Sequence, residues 1–132
     1  MLAYDAAHAL ARMVLDRGRT PILECTYSRR QQRTSLLTAL ADLPTASLWV
    51  VEFSVPTEDA VARFRRSPTH QATDLTEQLV RERAQSFPYS EQALRLGSAA
   101  ASPEDLARQV TTWLLGRPAP IERDRWAEAG KA

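Results

Sequence analysis

Segments with helical and strand patterns alternate along this chain, and that order restricts its possible folds more than any other feature. Strand patterns cover residues 21–26, 47–54 and 93–99, and helical patterns lie around and between them. The run at 21–26 is continuously apolar, which is typical of a strand covered on both faces. Strands separated by helices favour a parallel sheet with helices on both sides. We therefore predict an α/β fold, a three-layer doubly wound parallel sheet.

Apolar residues at helical spacing predict helices at 2–17, 29–41, 57–66, 75–86 and 103–116. Capping residues support several of these boundaries. Thr57 is a capping residue for the helix at 57–66, and Asp74 with Glu77 forms a capping pair for the helix at 75–86. Ser102 precedes the last helix. Residues 1–116 are thus predicted to form one domain, and residues 117–132 a loose polar tail.

Composition limits the function classes. The chain has 132 residues, 44% hydrophobic residues and a net charge of +1, so it is long enough for one core and has no global field that would attract nucleic acid or an anionic membrane. No window is apolar for long enough to span a bilayer, and Asp5 interrupts any signal peptide. The single cysteine, Cys25, excludes an intrachain disulfide. We expect a cytoplasmic protein without a membrane partner.

A carboxylate, a hydroxyl group and several arginines follow the first predicted strand. Glu24 and Thr26 stand at its end, and the next helix begins with Arg29, Arg30 and Arg33. In open parallel sheets ligands bind at the carboxyl ends of the strands. The arginines therefore either bind a phosphate there or form a solvated helix face.

Three segments together resemble the small P-loop kinases, which include polynucleotide kinases and chloramphenicol phosphotransferase-like enzymes. The stretch GRTPILECTYSRRQQR is similar to the family's third-strand motif, a Gly, an apolar strand, Asp-x-Thr and then arginine on the next helix. VEFSVPTEDAVARFRRS is similar to the next unit, which ends in an Arg-x-x-Arg lid. HQATDLTEQLVRERAQSFPY is similar to the lid and the helix that follows it. The resemblance covers residues 2–116.

The resemblance implies an ATP-dependent phosphotransferase acting on a small molecule or a nucleic-acid end, with ATP and Mg²⁺ as cofactors. Phosphoryl transfer is catalysed mainly by positioning and by cationic stabilisation. Glu24 matches the family's Asp, which organises Mg²⁺ and its waters or the phosphate acceptor. The implied catalytic residues are Glu24, Arg63 and Arg66, and the implied substrate-binding residues are Thr26, Arg30 and Arg33.

The phosphate-binding Walker A pattern, Gly-x-x-x-x-Gly-Lys-Ser/Thr, does not occur among these 132 residues. In the family's strand order, 2-3-1-4-5, the strands at 21–26 and 47–54 would flank an empty position. Three outcomes are open: the two strands pair directly, a second chain (another copy included) fills the position, or the sequence is part of a longer protein. We expect such a chain to be incomplete or inactive as a kinase by itself.

Two other functions compete with this one. The first is a non-catalytic interaction module that recruits a second chain, as a homodimer or with another partner, through exposed sheet edges. The second is binding of single-stranded nucleic acid, which the net charge of +1 argues against. No residue near His8 has the spacing of a metal ligand, so we expect His8 to be packed or on the surface. His70 stands four residues before Asp74, which is a conceivable metal pair, but a solvated loop is the favoured interpretation.

Overall fold

The computed structural model describes residues 1–67, 74–99 and 101–132, so His70 lies outside the described residues. The chain divides into two compact units. Unit 1 comprises Met1–Trp49, Ser90–Gln92 and Pro120–Ala132, and unit 2 comprises Val50–Tyr89 and Ala93–Ala119. The elements in chain order are α1 (Leu2–Leu15), α2 (Arg30–Ala39), β1 (Val51–Ser54), α3 (Thr57–Arg65), α4 (Glu77–Gln85), β2 (Leu94–Gly97), α5 (Pro103–Leu115) and α6 (Arg123–Glu128).

Unit 1 is helical. Helix α2 packs against both α1 and α6. The buried apolar side chains of unit 1 come from these three helices and from the segments next to them: Ala11, Tyr27, Leu36, Leu40, Ile121, Trp126 and Ala127. The core of this unit therefore depends on contacts between the two ends of the chain.

The C-terminal segment is part of that core, and the expectation of a loose tail is wrong. Trp126 on α6 is only 2% exposed. The backbone N–H of Lys131 donates to Ser28, and the Lys131 carbonyl accepts from Arg30 at 2.7 Å. A Cβ added at Gly130 would lie 2.6 Å from the Arg30 nitrogen, so the backbone at Arg30 leaves no room for a side chain at this position. Burial of Trp126 outweighs the polar character of its neighbours.

Unit 2 contains the sheet. Strands β1 and β2 are parallel, with Val51 opposite Leu94 and Ser54 opposite Gly97. Helices α3 and α4, which pack on each other, connect the two strands. Ser102 caps α5 by accepting from the Asp105 N–H at 3.1 Å, as predicted. Thr76 caps α4 by accepting from Leu79, in place of the predicted pair Asp74 and Glu77.

The predicted doubly wound, three-layer sheet is wrong. The described residues form six helices and one sheet of two four-residue strands, a mixed and helix-rich architecture. Residues 21–26 belong to no strand, and Ile22 there is 96% exposed. A strand requires a neighbour that supplies backbone hydrogen bonds, and none of the described segments supplies one to residues 21–26. The strand predicted at 47–54 is shorter in the structure, where it is β1 (Val51–Ser54). The Leu48 carbonyl accepts from the Ile121 N–H instead of from a neighbouring strand.

No helix within the described ranges has both the length and the apolar character needed to cross a bilayer.

Candidate functional site

Glu24 and Thr26 lie on the surface of unit 1, just before a sharp turn. Both side chains are exposed. The turn itself is at Tyr27, whose φ of 46° lies in the left-handed region that non-glycine residues seldom adopt. Tyr27 is nonetheless buried. The backbone conformation that leads from Glu24 into α2 is therefore maintained by contacts of Tyr27.

Arg33 provides one of those contacts from the interior of unit 1. Its side chain is 1% exposed. It donates to the Tyr27 carbonyl and to the Trp126 carbonyl, each at 2.7 Å, and its guanidinium lies 5.2 Å from the centre of the Trp126 ring. The predicted substrate-binding arginine thus joins the turn, α2 and α6. Arg30 is exposed on the same helix and donates to the Glu128 carbonyl at 3.3 Å.

A hydrogen-bonded chain around His8 provides the other contact. His8 is 1% exposed; its Nε2 lies 2.9 Å from the Tyr27 hydroxyl and its Nδ1 lies 3.0 Å from the Ser35 hydroxyl. Ser35 in turn donates to Asp5 at 3.0 Å. Burial lowers the pKa of His8, and the charge of Asp5 opposes that shift. Burial, with a smaller contribution from Cys25, raises the pKa of Tyr27.

The sequence contained no signal for this chain of bonds. Tyr4 and His8 share one face of α1 because they are four residues apart, but Tyr27 and Ser35 come from other segments. A histidine among alanines indicates only that it is packed or exposed. Whether His8 is packed or exposed depends on the segments that cover α1.

In unit 2, Arg63 lies at the carboxyl ends of the two parallel strands. It donates to the Ser98 carbonyl, just beyond β2, at 2.7 Å. The Ser98 N–H and hydroxyl both donate to the Ser54 carbonyl, at 2.8 and 3.2 Å, so the two strand ends are tied together. Arg66, one turn further along, is exposed and donates to the Ala62 carbonyl at 3.2 Å.

An open groove lies beside Arg63 at this edge of the sheet. It has a volume of about 500 Å³, within the range of small-molecule sites. Phe53 contributes an aromatic ring that is 54% exposed. The lining is mostly apolar, with one guanidinium and one hydroxyl group: Phe53, Arg63, Ser98, Ala101, Pro103, Leu106, Ala107 and Val110. Such a lining suits a ligand with an apolar body and an anionic group.

Two other charged side chains of α3, Glu58 and Arg65, form ion pairs with α4. Arg65 donates to both carboxylate oxygens of Glu77, at 2.8 and 2.7 Å, and Arg81 contacts Glu58 and Glu77. The Arg65 hydrogen bonds lower the pKa of Glu77. None of the ion pairs among the described residues includes Arg63. Unlike Arg65, which is paired with Glu77, Arg63 bonds to a backbone carbonyl.

The predicted site residues fall in both units. Glu24, Thr26, Arg30 and Arg33 belong to unit 1, whereas Arg63 and Arg66 belong to unit 2. Within the described part of the chain no group of three or more His, Cys, Asp or Glu side chains has the geometry of a metal site. The role of Glu24 toward Mg²⁺ stays a prediction.

Comparison of the chain with protein-family models, with curated proteins and with solved structures found no match.

Proposed function

We propose that this chain contributes the acceptor-side and lid residues of an ATP-dependent phosphotransferase, with ATP and Mg²⁺ as its cofactors. The observation that carries the proposal is Arg63, a cation bonded to the Ser98 carbonyl at the carboxyl ends of two parallel strands and beside an open groove. Ligands of parallel sheets bind outside this edge. The motif resemblance around Glu24 and Arg63 supports the same chemistry.

Arg63 is suited to a phosphoryl group because of its donors. A guanidinium carries five N–H donors, and the bond to Ser98 uses one of them while fixing the orientation of the group. Arg66 follows three residues later, on a neighbouring part of the helix surface. Two arginines so spaced supply the fork-shaped donors that phosphate oxygens accept, and fixed cations lower the energy of a phosphoryl-transfer transition state.

Glu24 and Thr26 have the types and the exposure required on the acceptor side. A carboxylate either accepts the proton of an attacking hydroxyl group or holds a water of Mg²⁺, and a threonine hydroxyl positions the acceptor. The Gly-x-x-x-x-Gly-Lys pattern is not among the 132 residues. The proposal therefore assigns no cradle for the β-phosphate of ATP to this chain, and we expect weak nucleotide binding without turnover.

Calorimetric titration with Mg-ATP at low salt tests the proposal. We expect Arg63→Gln to weaken binding by about tenfold or more, equivalent to about 1.4 kcal/mol. In a separate titration with Mg²⁺ alone, we expect Glu24→Gln to weaken binding of the metal ion. Arg108→Gln is the matched control, because Arg108 is an exposed arginine of unit 2 that pairs with Asp105. A folded protein without affinity for Mg-ATP, or one in which Arg63→Gln and Arg108→Gln behave alike, would refute the proposal.

A second candidate is a non-catalytic module that binds another chain by strand addition. The observation in its favour is the segment 20–26, which has no backbone hydrogen bond to the described residues and in which exposed Ile22, Glu24 and Thr26 alternate with half-buried Leu23 and Cys25. Such alternation is the pattern of a half-covered strand. An unpaired segment of this kind is a template for strand pairing.

Light scattering over a range of concentrations tests the self-assembling form of this candidate. We expect Ile22→Lys to abolish any dimer, because it places a charge beside the unpaired backbone. Leu115→Lys is the control, since Leu115 is also exposed but lies on α5. A strict monomer at high concentration excludes self-assembly through this segment.

A further inference from the structure

We propose that His8 is a proton-operated latch on the turn at Tyr27: neutral His8 holds the turn against α1, and protonated His8 releases it. This device is separate from phosphoryl transfer and does not depend on it. It is built from the hydrogen-bonded chain Asp5, Ser35, His8 and Tyr27, which links α1, α2 and the turn.

The direction of each hydrogen bond in this chain can be deduced from the number of protons available. The Ser35 hydroxyl has one hydrogen and donates it to Asp5. Its oxygen is then the acceptor for His8 Nδ1, 3.0 Å away, so Nδ1 carries a proton. In a neutral imidazole Nε2 is then the acceptor, and the Tyr27 hydroxyl at 2.9 Å donates to it. The geometry therefore selects neutral His8 with its proton on Nδ1.

Protonation reverses the bond to Tyr27. It places a second donor on Nε2, opposite a hydroxyl group that was itself donating. The Tyr27 hydroxyl must then accept from Nε2 and turn its own hydrogen away from His8, so that this hydrogen loses the acceptor it had. In addition, the new charge lies on a side chain that is 1% exposed.

The charges around His8 act in both directions. Asp5 of α1 favours the protonated form. Arg33 of α2, which donates to the Tyr27 carbonyl, places a positive charge next to the same turn. Among the described residues, the other groups that ring contacts, hydrogen bonds or side-chain interactions place against His8 or Tyr27 carry no formal positive charge: Tyr4 of α1, Ser35 of α2, Cys25 before the turn and Trp126 of α6.

The net result is a pKa of His8 below its ordinary value of 6.5, chiefly because the side chain is buried. The unfolded chain then binds more protons than the folded one between these two pKa values. The stability that neutral His8 provides is present above pH 6.5 and is lost as the pH falls through the lowered pKa of the folded protein.

The turn is poised to respond because its backbone is strained. Tyr27 has a φ of 46°, a left-handed conformation that is strained in a non-glycine residue and persists only when neighbouring contacts enforce it. The Tyr27 side chain is held by His8, and its carbonyl is held by Arg33. Protonation weakens the first of these two contacts, because it reverses the bond and places a charge on a side chain that is 1% exposed, so the backbone from Glu24 to Ser28 can relax.

Nuclear magnetic resonance of the imidazole nitrogens tests the proton assignment. The chain has two histidines, and His70→Gln identifies the His8 signal. We expect the Nδ1–H tautomer at neutral pH. Tyr27→Phe should raise the pKa of His8, since it removes the donor to the neutral form, and Asp5→Asn should lower it, since it removes a favourable charge. Shifts of the same sign, or the Nε2–H tautomer, would overturn the assignment.

Cys25, two residues before Tyr27 and the sole cysteine, reports on the latch itself. Its alkylation rate with iodoacetamide is measured between about pH 5 and 8, where histidine titrates, and each rate is divided by that of the urea-unfolded chain at the same pH. This ratio removes the pH dependence of thiolate formation that the folded and unfolded chains share. We expect protection of Cys25 to fall several-fold in the wild type as His8 becomes protonated.

Two variants make the result specific. His8→Gln retains a donor and an acceptor but does not titrate, so its protection should be independent of pH, whereas His70→Gln should behave like the wild type. If His8→Gln does not fold, Tyr27→Phe replaces it: the hydroxyl group that His8 contacts is then missing, so protection should be lower at all pH values and should not respond to the protonation of His8. Protection that does not change with pH in the wild type, or that changes equally in His8→Gln, would overturn the latch.

Discussion

Replacing Arg33 with methionine removes two hydrogen bonds that join the Tyr27 turn to α2 and α6. In the native chain Arg33 donates to the Tyr27 and Trp126 carbonyls, both at 2.7 Å, from a position that is 1% exposed. Methionine is unbranched and retains most of the apolar stem that packs beside Trp126. The substitution therefore tests the donors rather than the packing.

The expected loss of stability can be estimated from the two carbonyl groups that the substitution leaves without their donor. Each loses a charge-assisted hydrogen bond worth about 1.5–3 kcal/mol, which sums to about 3–6 kcal/mol. Removal of the buried guanidinium returns part of this sum, because the desolvation cost of a charge disappears with it. We expect the free energy of unfolding to fall by about 2–5 kcal/mol, a large share of the 5–15 kcal/mol typical of a domain.

Urea unfolding, followed by far-ultraviolet circular dichroism and tryptophan fluorescence, measures this loss. With a slope of about 2 kcal/mol per molar urea, in the middle of the usual range, the midpoint should fall by about 1–2.5 M. Arg30→Met is the matched control on the same helix: Arg30 is exposed and has one long bond to Glu128, so its replacement should change stability by less than about 0.5 kcal/mol. If Arg33→Met were as stable as Arg30→Met, the assignment of Arg33 as the link between the turn and α6 would be wrong.

Three further predictions concern single contacts. Gly130→Ala should lower the free energy of unfolding by about 1–3 kcal/mol, since its Cβ would lie 2.6 Å from the Arg30 nitrogen; Gly97→Ala, with no atom within 4 Å, is the control in the same urea assay. Ser102→Ala should cost about 1 kcal/mol by removing the cap of α5, measured by calorimetry, and Ser102→Asp should restore it. Glu24→Gln should leave the thermal midpoint unchanged because Glu24 is exposed, and a lower midpoint would indicate a structural role for this carboxylate.

Features that depend on neighbouring residues along the chain were predictable. The five helices predicted from apolar spacing all form, within a few residues of their predicted ends, because helical hydrogen bonds and caps lie within one or two turns of each other. The Ser102 cap was correct for the same reason, because its hydrogen bond reaches only three residues along the chain. A strand was also correctly predicted around Leu94–Gly97, from its apolar residues. The functional roles of the predicted site residues stay predictions; Glu24, Arg30, Arg63 and Arg66 are exposed, whereas Arg33 is buried.

Contacts between distant segments were not predictable, and they decided which polar side chains are buried and which extended segments form strands. The sequence places Arg33 in a cluster with Arg29 and Arg30, yet Arg33 is buried because Trp126, 93 residues later, covers it. Residues 21–26 have the composition of a central strand and form none, since the hydrogen-bond partners of a strand must come from another segment. By itself the sequence determined where helices form, whose bonds are local; the tertiary structure alone decided which extended segments pair and which polar side chains are enclosed, because both depend on what lies next to them in space.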